Sequence, residues 1–252
     1  MRFIVGFTCF HTYWWTKQLL DCVKQTDLGE IVVIDNNPKN GVKVSGTYMG
    51  RSEAFTDRSY NQFCDAERSL LEETENLLIV TNQHKEPMHH GQAMNHMRKW
   101  CVENDYQIMI HIEPDCTFTG TVWLENLVQA IRDGWWMAGS ESLNNGVLKP
   151  CCSAWNTKHD LDFSGGLPRV FDADYMKAFP THLHEFGSSF DTNFNYKWRW
   201  ESLQKNWDTA QHAWYECAKA GKAKEVEAPN FIHHEGGSWR KIHPSHSSVP
   251  YL

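Results

Sequence analysis

The sequence predicts an α/β fold: a mixed, mostly parallel sheet flanked by helices. Three observations carry the prediction. Short β-branched runs end abruptly in polar or acidic turns, amphipathic helical stretches lie between them, and the chain opens strand–helix–strand at crossover spacing. Parallel neighbours need such a crossover, and crossovers of this kind are right-handed. The 252 residues suffice for one sizeable core, and 41% hydrophobic with 22% charged residues is ordinary for a globular chain.

Arg2 to Phe7 (RFIVGF) reads as a first buried strand rather than a signal peptide, because His11, Tyr13 and Lys17 follow where a small-residue cleavage site would stand. Trp15, Leu19, Cys22 and Val23 recur at helical spacing, with Thr12 as a candidate N-cap. Glu30 to Ile34 (EIVVI) is a second strand, closed by Asp35, Asn36, Asn37 and Pro38. Lys39 to Asn76 is polar and weakly patterned, with one helix expected near Asp65–Glu73. Leu77 to Thr81 (LLIVT) is a third strand. Gly91 then opens a helix whose apolar face is Ala93, Met97, Trp100 and Cys101. Asn95 sits in its first turn, where backbone donors suit an anion, although a plain loop-to-helix turn reads the same way.

The central stretch is YQIMIHIEPDCTF, from Tyr106 to Phe118. Its run through Ile112 suits a strand covered on both faces, and Pro114 should end it, since proline donates nothing to a ladder. Glu113 and Asp115 are left at the carboxyl tip, where ligands bind in open α/β sheets. Two such carboxylates repel unless a cation lies between them, and hard divalent ions prefer carboxylate oxygen; a solvated turn is the plainer alternative. Leu124, Leu127, Val128 and Ile131 define the next helix, with Thr121 as a possible cap, and Trp135 to Ala138 resumes a strand. Asn144 to Asp162 reads as loop, and Leu167 to Phe171 (LPRVF) as a short strand after Ser164, Gly165 and Gly166. Asp208 and Thr209 begin a helix with Ala210, Ala213, Trp214 and Cys217 on one face, stopped near Gly221. Glu225 to Ile232 holds a last strand, interrupted by Pro229, and His233, His234, Gly236, Gly237, Ser238, Arg240 and Lys241 follow.

No stretch of apolar residues approaches membrane-spanning length, and no repeat or linker divides the chain, so one domain is expected. The eight cysteines contain no C-x-x-C pair and several occupy apolar positions, which points to reduced thiols and a cytoplasmic location. A formal charge of −7 argues against broad, non-specific nucleic-acid contact. The twelve tryptophans are core candidates, and an exposed subset would suit stacking on sugar rings. Asp35, Glu113/Asp115, Asp208 and His233/His234 converge on one sheet edge. The histidines can be plain solvated surface, but imidazole beside glycines and Arg240/Lys241 suits a metal-bound diphosphate. The usual phosphate loops, G-x-x-x-x-G-K-[ST] and G-x-G-x-x-G after strand one, are absent, as are G-x-S-x-G and H-E-x-x-H.

This order resembles the family 2-like nucleotide-sugar glycosyltransferases of the GT-A fold. The matching features are a first strand ending near Thr8, VIDNN at the second, Gly91 to Asn95 before a helix, Glu113–Pro114–Asp115 for their Asp-x-Asp, WLENLVQAI after it, and the terminal histidine-glycine-serine cluster. The resemblance covers roughly residues 2–240. It implies one domain over 1–252, with a nucleotide-binding half of about 1–118 and an acceptor half of about 119–241. It also implies an inverting transfer of sugar from a nucleoside-diphosphate donor, with a UDP-sugar expected, to an acceptor hydroxyl on a glycan or lipid-linked glycan; a modified nucleic-acid base is conceivable despite the negative charge. By the same resemblance Asp35 contacts base or ribose with Thr8 beside it, Asp115 binds Mn or Mg, and Glu113 faces the ribose or supports the metal shell. The family's Glu-Asp base motif is missing from NYKWRWES, so Asp208 is the first candidate base, Asp191 in FGSSFDT the second and Glu201 a third. Asp208 can equally be a helix cap. Two other functions fit the residues less well. A sugar-phosphate nucleotidyltransferase would need a glycine-rich basic loop where FTCFHTYWW stands, and a carbohydrate-binding protein would need no gathered carboxylates.

Overall fold

The computed structural model describes residues 1–10, 12–37, 57–82, 90–140, 142–143, 147–148, 152–161, 213–214 and 217–234. In chain order its elements are β1 (Phe3–Cys9), α1 (Tyr13–Thr26), β2 (Ile31–Asp35), α2 (Asp57–Glu72), β3 (Leu77–Thr81), α3 (His90–Glu103), β4 (Ile108–Ile112) and β5 (Cys116–Phe118). They continue with α4 (Val122–Arg132), β6 (Met137–Gly139), β7 (Ser142–Leu143), β8 (Val147–Leu148), β9 (Cys152–Asn156), β10 (Ala223–Glu225) and β11 (Phe231–His233). Seven strands form a sheet in the order β10-β6-β9-β4-β1-β2-β3. The β1/β2, β2/β3 and β6/β10 pairs are parallel and β6/β9 is antiparallel, so the sheet is mixed and mostly parallel as predicted.

The chain clusters into two compact units. One comprises Ile4–Met88, Ile112–Thr121 and Pro229–Leu252. Here β2 is buried along its whole length, as an inner parallel strand should be. Both β1 and β2 run further than their apolar residues suggest, because Thr8 and Cys9 pair with Ile34 and Asp35. Asp35 also pairs with Thr81. Trp15, Thr16, Leu19, Leu20 and Val23 form the buried face of α1, which ends at Asp27 in the left-handed region. The helix expected near Asp65–Glu73 is longer and begins at Asp57. Thr12 stands at the N-cap position of α1, yet its hydroxyl makes no cap bond; it donates to Glu67 at 2.9 Å instead.

The other unit comprises Met1–Phe3, His89–His111 and Val122–Ala228. All four residues expected on the α4 face are buried, joined by Trp123 and Ala130. Ala93, Met97 and Cys101 of α3 are buried, whereas Trp100 is half-buried and stacks on Tyr106. Two strand predictions need correction. The stretch expected to be loop contains β9, whose five residues CSAWN are all buried; serine, alanine and asparagine carry little strand propensity, and burial against neighbouring elements overrides it. The single strand expected over Glu225–Ile232 is two, β10 and β11, in different sheets on either side of Pro229. Ala213, Trp214 and Cys217 are buried as expected, and Gly221 (φ 65°) closes their helix with a Lys222 N to Cys217 O bond of 2.7 Å. The start of that helix and the LPRVF segment lie outside the described residues.

Candidate functional site

Two polar clusters stand at strand ends of the first unit. The first is built on Asp115. Pro114 ends β4, the chain turns through a Cys116 N to Glu113 O bond of 3.2 Å, and β5 follows at once. A three-residue strand gives no readable periodicity, and β5 holds because β11 pairs with it antiparallel, His233 opposite Cys116 and Phe231 opposite Phe118. The Phe118 and Phe231 rings stack 5.7 Å apart at 3°, and His234 N donates to Asp115 O at 2.9 Å.

The ribbon gives the two histidines different surroundings. His233 Nε2 lies 3.4 Å from Asp115 Oδ1, and Asp115 is only 3% exposed. His234 Nε2 is hydrogen-bonded to Thr117 Oγ1 at 2.9 Å, and its ring stacks on Trp15 at 5.1 Å. The Asp115–His233 pair fits a divalent cation: ligands about 2.1 Å from one octahedral ion stand about 3 Å apart. Among the described residues, no three His, Cys, Asp or Glu side chains are grouped to hold a metal.

The second cluster lies where β2 ends. Asp35 is fully buried. Its Oδ1 accepts from Asn37 N (3.1 Å) and Asn37 Nδ2 (2.9 Å), while Oδ2 accepts from Arg68 Nε (3.3 Å). Arg68 also donates to Asn37 O at 3.1 Å and pairs with Asp65 at 3.3 Å. Asn37 Nδ2 makes a second bond, to Glu67 Oε2 at 2.9 Å. Glu67 is 0% exposed and further accepts from Thr12 N, Thr12 Oγ1 and Thr16 Oγ1, the last at 2.6 Å. Burial raises the Glu67 pKa, and the bonds from Thr16, Asn37 and Thr12 oppose that rise without cancelling it. Around it, burial first and then Glu67 push the Cys64 thiol up to about 12 and the Cys9 thiol well above its usual value.

Thr8 is buried on β1, paired with Ile34, and Glu113 is half-buried in the turn after β4. Asn95, expected in the first turn of its helix, is instead the sixth residue of α3, half-buried in the other unit and past the free N–H groups of the helix start. Asp191, Glu201, Asp208 and Arg240 lie outside the described residues. Sequence reasoning missed Glu67, Asn37, Arg68 and Thr16. A signal was present for Glu67: it shares the stripe Cys64–Glu67–Leu71, buried at helical spacing, where a carboxylate is out of place unless it has a task.

No family model and no curated protein matches the sequence. Among solved structures, the chain is similar to the mannosyltransferase PcManGT from Pyrobaculum calidifontis in complex with GDP-Man and Mn2+. The TM-score is 0.50 at 14% identity, over 97% of this chain and 61% of that one. Lower similarity extends to S. aureus TarS 1-349 (TM-score 0.42, 14% identity, 71% of this chain, 55% of that one) and to GalNAc-T7 with UDP, GalNAc and Mn2+ (0.35, 14%, 56% and 23%). The fold is thus of the GT-A type. The chain spans about three-fifths of the length of the mannosyltransferase.

Proposed function

We propose that this chain is an inverting, metal-dependent glycosyltransferase, taking its sugar from a nucleoside-diphosphate donor, with a UDP-sugar as the expected one. The observation that carries the reading is the β5–β11 ribbon, which supports Asp115 and His233 as a carboxylate–imidazole pair just beyond the end of β4 in a GT-A sheet. Mn or Mg would be held by Asp115 and His233, with His234 able to contribute only Nδ1 because Thr117 engages its Nε2. When bound, the ion offsets the negative charge that develops on a departing diphosphate.

The chain's own residues bind and orient. Asp35 Oδ1 carries two donors and Oδ2 one, so Oδ2 keeps acceptor capacity; because Asp35 is 0% exposed, a base or ribose donor reaches it only where covering groups give way, with Thr8 on the adjoining strand. Glu113 serves the ribose or the ion's outer shell, and Arg240 neutralises phosphate. Asp208 is the candidate base that takes the proton from an acceptor hydroxyl, with Asp191 second. The acceptor is a glycan, with a modified nucleic-acid base as the second class. No helix among the described residues is long and apolar enough to cross a membrane. Seven described cysteines are free, which supports a reducing, cytoplasmic setting.

Calorimetric titration with UDP and GDP, with and without Mn, tests the reading. Asp115→Ala should abolish the Mn-dependent part of nucleotide binding while the thermal melt stays cooperative. Unchanged affinity and unchanged Mn dependence in the variant would overturn the metal assignment.

A further inference from the structure

Glu67 makes no contact with the proposed metal pair among its hydrogen bonds, yet a fully buried carboxylate is kept there by four donor groups and no cation among the described residues. Those donors come from two places: the start of α1 (Thr12, Thr16) and the loop after β2 (Asn37). The bond to Asn37 is the informative one. Its side-chain amide bridges two carboxylates, 2.9 Å to Asp35 Oδ1 and 2.9 Å to Glu67 Oε2. Only the NH2 end can serve both acceptors, so the amide's orientation is fixed by chemistry. With its backbone N–H at 3.1 Å as well, Asn37 saturates one oxygen of Asp35 and leaves the other with spare capacity.

We infer that Glu67 is a positioning residue for nucleobase discrimination: by locking the Asn37 amide it adds the third of three bonds, beside Asn37 N and Arg68 Nε, that set the rotation of the Asp35 carboxylate, so that Oδ2 meets a base N–H. The inference rests on the nucleotide-binding reading given above. Glu67→Gln keeps the shape and reverses one polarity. If the variant's amide oxygen keeps the threonine donors, its NH2 faces the NH2 of Asn37, donor against donor. Asn37 relieves this by turning its oxygen toward Glu67's position, and the same flip turns it away from donating to Asp35. The carboxylate then keeps only Asn37 N on Oδ1 and Arg68 Nε on Oδ2, and its rotation is held less firmly.

A mis-set carboxylate impairs the base it was set to read more than any other, whereas general loosening of the fold weakens every nucleotide alike. The discriminating quantity is therefore the ratio of UDP to GDP affinity, measured by calorimetry with Mn present, well below the melting temperature. The wild type should prefer one nucleotide by about tenfold or more, the discrimination expected of one directional hydrogen bond to a charged group. Glu67→Gln should move that ratio toward one, mainly by weakening the preferred nucleotide. Asn37→Ser retains the backbone donor but removes the bridge, and should give the same loss if Glu67→Gln fails to fold. A preserved ratio in a folded variant overturns the inference, whether or not both affinities fall together. A wild type that binds both nucleotides equally overturns it too. A wild type that binds neither overturns the nucleotide-binding reading and this inference with it.

Discussion

At the scale of single residues, charge is buried where hydrogen bonds can hold it. Glu67 titrates above its ordinary value of 4.5 because burial outweighs the bonds it accepts. A carboxyl with a raised folded pKa contributes stability that is fully present below the unfolded value and is lost as pH rises through the folded one. Melting temperatures of wild type and Glu67→Gln should therefore differ in a pH-dependent way. The wild type should lose ground to the variant as pH rises from 4.5 through the raised value, then run parallel to it. A difference that stays flat across this range would show that burial does not govern the proton. Legibility at this scale is uneven. Asp35 and Asp115 stand out because each follows an apolar run at a strand end. Asn37 and Thr16 do not, since an asparagine in a turn and a threonine in a helix have common local uses, and only the fold brings both onto one carboxylate.

At the scale of elements, the β5–β11 ribbon is short, three residues on each side, and its stability rests on the Phe118–Phe231 stack and the two histidine contacts. Two-stranded ribbons are marginal alone. Joining Asp115 and His233 through a cation and a nucleotide should hold both strands at once. Amide hydrogen exchange of residues 116–118 and 231–234 should accordingly slow together when UDP and Mn are added. Slowing in one strand only would separate the ribbon from the proposed site. Elements with strong periodicity were readable directly: β3 matches LLIVT residue for residue, and the α4 face matches its apolar spacing. The elements that escaped reading, β5, β7, β8 and β9, are short or poor in β-branched residues and exist through their partners.

At the scale of the molecule, the parallel opening was legible because a strand–helix–strand crossover constrains both direction and hand, and β1, β2 and β3 pair as it requires. Chemistry at this scale is tested through the base. Asp208→Asn should leave donor binding nearly intact and lower single-turnover transfer by roughly 10²–10⁴-fold, the contribution of a positioned general base. Asp191→Asn should not be equally harmful. A wild-type rate in Asp208→Asn with a collapse in Asp191→Asn would move the role to Asp191. The ribbon has one more consequence, for the timing of assembly. Thr117 and His234 are 117 positions apart in the chain, so the second cannot dock until the whole intervening segment has emerged from the ribosome. The strands β1 to β3 can pair much earlier, within the first 81 residues. A nascent chain would thus hold the paired β1–β3 edge for a time on the order of ten seconds, at the usual pace of synthesis, before the imidazoles arrive to complete the proposed metal pair.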